Sequence, residues 1–449
     1  MLLNLLSGQT ALERKLYGLV IARLDGDRIR HTSYGEEVLS LIRKGIGGFL
    51  LQGGEKDEIR AFLTRARSHG DRPLLFASSV DNGMSAPMRG ATHFPGPMAF
   101  AAAFGSDDPG APLLITRALA AMAAEAADLG INIPLMPQFP QQNPAPPPEK
   151  NDERPLLQAA LFDRLNCEYE AAFLNADLTP WRPEALARGG FLYSPCLSDQ
   201  NDKPFIHALI REDDSAASFA SCIAAEGDLL IGAGEPEALV GALAHAFETG
   251  LVTKERLDQA FLGVEALKVR IGREYPAAAT PVDYERNSEL AQEIAQKAVT
   301  LVKGRGRFMP VRDSDRLPLI YGGGEEHFLL SHLRYYVSQA SHVKKPLPTH
   351  ERPVVFLLFG GREKGKGEEI EFEKAEQMAR SISPAIVVSF GSPWLLDRFK
   401  EAEILIAAYD PSPEAEEAVF RCITGERPFE GRLPVNSVLS EKERKRTAP

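Results

Sequence analysis

Short apolar or β-branched runs alternate with amphipathic helical patterns from the start of the chain, and this alternation limits the fold more than any other feature. The runs are Leu16–Ala22, Gly47–Leu51, Pro73–Ala77, Ile131–Leu135, Gly190–Ser194, Phe205–Ile210 and Asp228–Ile231. Between several of them apolar residues recur at helical spacing. Ile115, Leu119, Met122, Ala126 and Leu129 share one helix face, and Gly130 follows as its stop. Another helix opens at Thr253 and carries Leu257, Phe261, Val264, Leu267 and Ile271. Repeated strand–helix units imply a parallel sheet, because parallel neighbours need a crossover connection. Seven such strands before Gly272 predict an α/β fold built on a (β/α)8, TIM-like barrel, read as incomplete.

Two stretches break the rhythm. Pro134 to Pro148 is rich in Pro, Gln and Asn. It cannot be helix and makes a poor strand. Glu274 to Asn287 contains Pro276, three alanines and Pro281, and reads as an interdomain linker. Beyond it, Leu290, Ile294, Ala298 and Leu301 mark a helix. Strand-like runs follow at Leu317–Tyr321, Val354–Phe359, Ala385–Ser389 and Ile404–Ala408. A second α/β domain, an α/β sandwich of three layers, is expected there. The sequence thus divides into a barrel over 1–275, a linker over 276–288 and a sandwich over 289–449, with a charged tail from Glu441 that frays.

Composition excludes several classes. The net charge of the 449 residues is -11 and no Lys/Arg cluster offsets it, so nucleic acid is not an expected partner. Cys167, Cys196, Cys222 and Cys422 have neither zinc-ligand spacing nor the density of a disulfide framework. The nine His include no H-x-x-x-H pair, so neither a metal nor another cofactor is expected. No apolar run is long enough to span a bilayer, and residues Met1 to Arg14 lack the pattern of a signal peptide. A reducing cytoplasm is the default location, with no membrane partner, and the oligomeric state is left open.

A family resemblance rests on ordered motifs. Thr92-His93-Phe94-Pro95-Gly96-Pro97-Met98-Ala99 precedes a helix and then Gly130-Ile131-Asn132. Gly45-Ile46-Gly47-Gly48-Phe49-Leu50 lies upstream, and Gly227-Asp228-Leu229-Leu230-Ile231 downstream. Gly250-Leu251-Val252 through Arg270-Ile271-Gly272 follows. In the second half stand Ala298-Val299-Thr300-Leu301-Val302-Lys303, Ser389-Phe390-Gly391-Ser392-Pro393-Trp394 and Gly431-Arg432-Leu433-Pro434-Val435. Together these resemble glycoside hydrolase family 3 in its β-N-acetylhexosaminidase-like branch. The resemblance implies a barrel, a sandwich, a small carbohydrate ligand and exo-hydrolysis of β-linked N-acetylglucosamine or related sugars. Fold kinship alone does not transfer the activity.

Retaining glycosidases need a carboxylate nucleophile and a nearby acid. The family's sugar-binding pattern is Asp-x-Glu-Gly-Gly-x-Val-x-Arg. Asp81 and Arg89 keep its outer spacing, while Gly83, Met84 and Ser85 replace its centre. The resemblance makes Asp81 an acceptor of sugar hydroxyls and Arg89 a support for the ring. The bland alternative is an Asp-Asn-Gly turn with a surface Arg. Asp177-Leu178-Thr179-Pro180-Trp181 resembles the family's helix before its fifth strand. Phe205 through Asp213 then falls on the nucleophile strand, which puts Glu212 at the nucleophile and Asp213 beside it as the candidate catalytic residues. A rival alignment puts the inert Pro195 there. Glu212, Asp213 and Asp214 also read as an acidic N-cap run before a helix at Ala216, and this reading is favoured.

The acid/base loop has no counterpart. Nothing between Pro148 and Asp177 matches Lys-His-Phe-Pro-Gly, and no Asp-Ser-His follows. His93 fits the earlier Phe-Pro turn. The Pro-rich stretch stands where a strand and catalytic loop would be, so the barrel is expected to be shortened between Leu135 and Asp177. Gly360 through Gly367 fits G-x-x-x-x-G-K but has Gly367 where Ser or Thr would meet Mg²⁺, and nucleotide binding is the least favoured reading. The leading expectation is a family 3-like glycosidase with an incomplete catalytic set and weak or lost activity. The alternative is a non-catalytic relative, a pseudoenzyme that binds carbohydrate or protein.

Overall fold

The computed structural model describes residues 11–85, 87–137, 154–176, 178, 180–185, 191–195, 208–211, 223, 227–232, 235–273, 281–304, 309–311, 319–323, 337–339, 353–359, 366–381 and 385–435. They form two compact units. The first comprises Met1–Thr92, Leu119–Gln138 and Cys167–Tyr284. The second comprises His93–Ala118, Phe139–Asn166 and Glu285–Pro449. The units therefore differ from a simple cut at the linker, since His93–Ala118 groups with the C-terminal part of the chain.

The first unit is a closed eight-stranded barrel. Helix α1 (Ala11–Gly18) leads into β1 (Val20–Asp25). There follow α2 (Thr32–Lys44), β2 (Gly48–Gln52), α3 (Lys56–His69), β3 (Leu75–Ser79) and a short β4 (Asp81–Met84) outside the ring. Next in chain order come α4 (Pro97–Phe104), which groups with the second unit, then α5 (Ala111–Leu129), β5 (Ile133–Leu135), α6 (Arg154–Asn175), β6 (Trp181–Ala185), β7 (Phe191–Pro195), β8 (Ala208–Arg211) and β9 (Leu229–Gly232), with α5 and α6 each divided between the units. Helices α7 (Pro236–Glu248) and α8 (Lys254–Arg273) complete it. Pairing of Val20 with Leu230 and Ile21 with Ile231 closes the ring. Several of the parallel strands are apolar on both faces, as buried parallel strands are. Val20, Ile21, Ala22, Leu75, Phe76, Ala77, Ile133, Leu229 and Leu230 are all fully buried.

The regular β/α repeat is incomplete in a specific way. Strand β6 pairs parallel to β5 through Leu135 and Trp181. Strand β7 then runs antiparallel to both β6 and β8. Only residues 186–190 separate β6 from β7, and a parallel crossover needs about a dozen residues or more. No strand is missing from the ring. The departure is a reversed strand, and Gly190–Ser194 and Phe205–Ile210, expected as parallel strands, give β7 and β8 in opposite directions. Between Leu135 and Trp181 the described residues supply one helix and no strand.

Three local expectations need correction. Leu16 and Tyr17 belong to α1, not to the first strand, because they extend its buried face up to Gly18. Trp181 opens a strand and not a helix end, since Pro180 and Pro183 remove amide donors that a helix interior requires. The linker ends sooner than Asn287. Helix α9 (Tyr284–Ala298) starts at Tyr284, whose hydroxyl donates to Asp128 at 3.2 Å and whose ring lies 4.2 Å below the Lys56 ammonium.

Motif residues earn their places through packing. Asn132 lies 3% exposed. Its side chain accepts from Phe76 N at 2.7 Å and donates to Leu74 O at 2.8 Å, which stitches β5 to β3. Asp228 meets the Arg256 guanidinium at 2.6 Å, and the same Arg donates to Gly227 O at 2.6 Å and Ile223 O at 3.0 Å. That clasp anchors the start of β9 to α8.

The second unit is built on a six-stranded sheet. Its strands are β10 (Thr300–Lys303), β11 (Leu319–Gly323), β12 (Val337–Gln339), β13 (Val354–Phe359), β14 (Ala385–Ser389) and β15 (Ile404–Ala407). Their order is β10-β15-β14-β13-β11-β12. All pair in parallel except edge strand β10, which is antiparallel to β15. Helix α10 (Lys366–Ser381) connects β13 to β14, a 3-10 helix at Pro393–Phe399 connects β14 to β15, and α11 (Pro413–Thr424) follows β15. One sheet face, with Val355, Leu357, Phe359, Ile386, Val388, Ile404 and Ile406, packs on Ala295 of α9 and on Ala415, Ala418, Val419 and Ile423 of α11. The alternate residues Val354, Phe356, Leu358 and Val387 are buried too, as a covered parallel sheet requires. Gly431 has a close-approach role here, since a Cβ at that position would lie 2.1 Å from Ala298 O.

Gly48 has the same constraint inside the barrel. A Cβ there would fall 2.1 Å from Leu75 O and 2.6 Å from Leu75 Cβ. Gly241, on α7, has nothing within 4 Å of the corresponding point. Gly48→Ala is therefore expected to destabilise by roughly 2–4 kcal/mol. Gly241→Ala is expected to stabilise by about 0.5–1 kcal/mol through helix propensity. Urea unfolding midpoints of the two variants should move in opposite directions.

Candidate functional site

In barrels of this type the chemistry gathers where strands end at their carboxyl termini. At that rim β1 ends at Asp25, β2 at Gln52 and β3 at Ser79. Gly26 N donates to Gln52 O at 2.7 Å, and Asp27 N donates to the Asp25 carboxylate at 3.0 Å. Asp25 N in turn donates to the Tyr34 hydroxyl at 2.9 Å. These bonds fold the β1 loop over the end of β2.

Arg89 organises this rim. Its Nε donates to Glu55 Oε1 at 2.6 Å and its Nη2 to Asp27 Oδ1 at 2.6 Å. Its backbone N–H donates to Gly54 O at 2.8 Å, and its carbonyl accepts from Lys56 N at 3.0 Å. The bonded carboxylates of Asp27 and Glu55 raise the Arg89 pKa above its ordinary value. Reciprocally, the Arg89 guanidinium holds the Asp27 carboxyl below the usual carboxylate range. The guanidinium is about half exposed, so these pairs define geometry more than stability.

Asp81 follows β3 and opens β4. Its N–H donates to Ser79 Oγ at 3.4 Å, and Gly83 N donates to Val80 O at 3.3 Å. Gly83 has φ 65°, a left-handed turn that glycine adopts at low cost. The Asp-Asn-Gly turn read from the sequence is thus present, with Asp81 partly buried on it. Tyr169 of α6 is fully buried. Burial raises its pKa first, and the charge of Asp81 raises it further. Glu212 and Asp213 lie outside the described residues, as do Asp177, Thr179 and the glycine-rich loop 360–365.

A second cluster belongs to the other unit. Nε2 of His93 lies 2.8 Å from Oδ2 of Asp410. Asp410 is 3% exposed and follows Tyr409, whose φ of 66° is left-handed. The buried Tyr409 hydroxyl donates to Thr300 Oγ1 at 2.8 Å, which fixes the turn that presents Asp410. Burial pulls the His93 pKa down, but the bond to Asp410 and the charges of Asp410 and Glu414 outweigh it, so the net shift is upward. In the first unit, Thr92 N donates to the buried Glu125 carboxylate at 3.0 Å.

Asp27, Glu55, Tyr169 and Asp410 were not singled out by sequence reasoning. Asp27 and Glu55 had a usable signal, since both follow glycines directly after apolar strands. The pairing of His93 with Asp410 spans 317 positions and had none. No group of three or more His, Cys, Asp or Glu is placed to hold a metal ion among the described residues. Nor is any described helix long and apolar enough to cross a membrane.

The chain thus combines a TIM-like barrel carrying an acidic rim with an α/β sandwich built on a six-stranded sheet. No family model matches the chain. A β-N-acetylglucosaminidase/β-glucosidase of Cellulomonas fimi is 23% identical, over 90% of this chain and 91% of its own length. The structure of a glycoside hydrolase family 3 β-N-acetylglucosaminidase from Paenibacillus sp. str. FPU-7 superposes with TM-score 0.68 at 18% identity, covering 96% of this chain and 99% of that one. A β-glucoside phosphorylase, BglX, bound to 2FGlc gives TM-score 0.64 at 15% identity over 97% and 96%. The resemblance to glycoside hydrolase family 3 read from the motifs is borne out in the fold and along nearly the whole chain.

The His93–Asp410 pair makes stability pH-dependent. The folded pKa of His93 lies above its ordinary value near 6.5. The pair's contribution is therefore full below about pH 6.5 and is lost as pH rises through the folded value. Urea midpoints of the wild type should fall across that window relative to those of His93→Gln.

Proposed function

We propose that the protein is a family 3 glycoside hydrolase with an incomplete catalytic set, descended from exo-hydrolases of β-linked N-acetylglucosamine or related sugars. Its activity is weak and falls mainly on substrates that need no acid help. The ordered full-length match to a β-N-acetylglucosaminidase/β-glucosidase supports the substrate class. The sequence supports the loss, because no Lys-His-Phe-Pro-Gly or Asp-Ser-His loop stands between Pro148 and Asp177. Asp81 binds sugar hydroxyls in this reading, while Arg89, committed to Asp27 and Glu55, holds the rim loops and reaches the sugar only indirectly. Glu212, with Asp213 beside it, is the proposed nucleophile.

The reading that competes is a non-catalytic relative that binds carbohydrate or a protein through the same rim. The engagement of Arg89 with two carboxylates favours it, since the resemblance assigned that guanidinium to the sugar. Binding without turnover would then be the whole function.

Loss of acid assistance costs about 10²–10⁴-fold in rate, and a good leaving group bypasses it. A nitrophenyl N-acetyl-β-glucosaminide should be cleaved slowly while natural β-linked disaccharides survive. Glu212→Gln combined with Asp213→Asn should abolish the slow cleavage. Efficient turnover of an unactivated disaccharide would refute the incomplete set. Saturable sugar binding with no cleavage of the aryl glycoside would establish the non-catalytic reading.

A further inference from the structure

On the opposite side of the barrel, where strands begin, lies a small half-open cavity of about 10 Å³, space of the order of one water-sized sphere. Its walls come from Arg14 of α1, Ile46 before β2, Arg72 and Leu74 before β3, and Phe261 and Lys268 of α8. We propose that this cavity binds a small monoanion, of halide or carboxylate size, against the ammonium of Lys268.

Lys268 carries the inference. It is 3% exposed, and its side chain lines the cavity. An ammonium has three donors, and buried charge-assisted bonds run near 2.7–2.9 Å. Here Nζ reaches Ile46 O only at 3.5 Å and Glu265 Oε1 only at 3.6 Å. The second oxygen of Glu265 is bonded to Arg72. A buried ammonium held by two such long contacts is under-compensated.

The charge balance of the walls points the same way. Arg14, Arg72 and Lys268 face Asp71 and Glu265, three positive groups against two negative ones. Arg14 pairs with Asp71 at 2.5 Å and Arg72 pairs with Glu265, which leaves one positive charge, on the most deeply buried member. Burial lowers the Lys268 pKa to about 8, and the nearby Arg72 and Arg14 add to the lowering against the opposing pull of Glu265. A single negative oxygen or halide beside Nζ would supply the missing acceptor. So small a space admits a single oxygen atom or a small halide beside Nζ and leaves no room for a bulky anion. A bound water would supply an acceptor too, but without charge selectivity.

The full-length protein is tested by thermal unfolding at constant ionic strength and pH 7 in sodium chloride, sodium acetate or sodium p-toluenesulfonate, the last anion being too bulky for the cavity. A saturable Tm rise of roughly 2–4 °C in chloride or acetate over toluenesulfonate is expected. The responding salt tells halide from carboxylate. The response should fade above about pH 9, once Lys268 is neutral. Lys268→Met should lose it, and Arg72→Gln should shift half-saturation by roughly tenfold to higher concentration. Equal Tm values in all three salts, or a response that persists at high pH, would overturn the proposal even if Lys268→Met does not fold.

Discussion

Closure of the barrel by the pairing of β1 with β9 is the constraint on which the first unit depends. An open sheet of these largely apolar strands would expose two unpaired edges. Closing it removes the edges and, for every strand except the reversed β7, places the start on one rim and the end on the other. Gly48 belongs to this closure, because a side chain on it would collide with Leu75 of the neighbouring strand. The Asn132 bridge and the Asp228–Arg256 clasp fix the start of β5 and of β9 in the same way. They are motif residues of the family resemblance, yet their contacts are with backbone and with each other's supporting helices.

The reversed β7 shows how closure tolerates a broken repeat. Eight strands are needed for a ring that side chains can fill, but the direction of one strand is negotiable when its neighbours pair by short connections. The stretch after α6 uses that freedom. It is also the region that the resemblance assigns to catalytic loops, so a change of strand direction and a loss of motif fall on the same part of the chain.

The two rims then divide the electrostatics. On the carboxyl-end rim, Asp27, Glu55 and Asp81 bring negative charge, and Arg89 neutralises part of it while tying two loops together. On the opposite rim the balance is reversed, with Lys268 buried among paired ions. In the second unit a left-handed Tyr409 holds Asp410 against His93, and the bond to Asp410 raises the His93 pKa above its ordinary value.

The sequence by itself determined the layered α/β architecture and most strand positions, because burial on both faces writes continuous apolar runs that no other element explains. It also determined the Asp81 turn, whose Asp-Asn-Gly chemistry is local. The start of α9 at Tyr284 escaped it, since that residue is held by Asp128 and Lys56, far away in the chain. The direction of β7 escaped it as well, since an apolar run carries no sign of which way it will pair. Tertiary structure alone decided the partners of charged side chains. The family resemblance implies that Arg89 supports a sugar ring, and only the fold brings Asp27 and Glu55 to it. His93 reads as part of a turn, and only the fold sets it against Asp410. Charge pairing is a property of distance in space, and a linear pattern encodes such distance only within a helix turn or a strand pair.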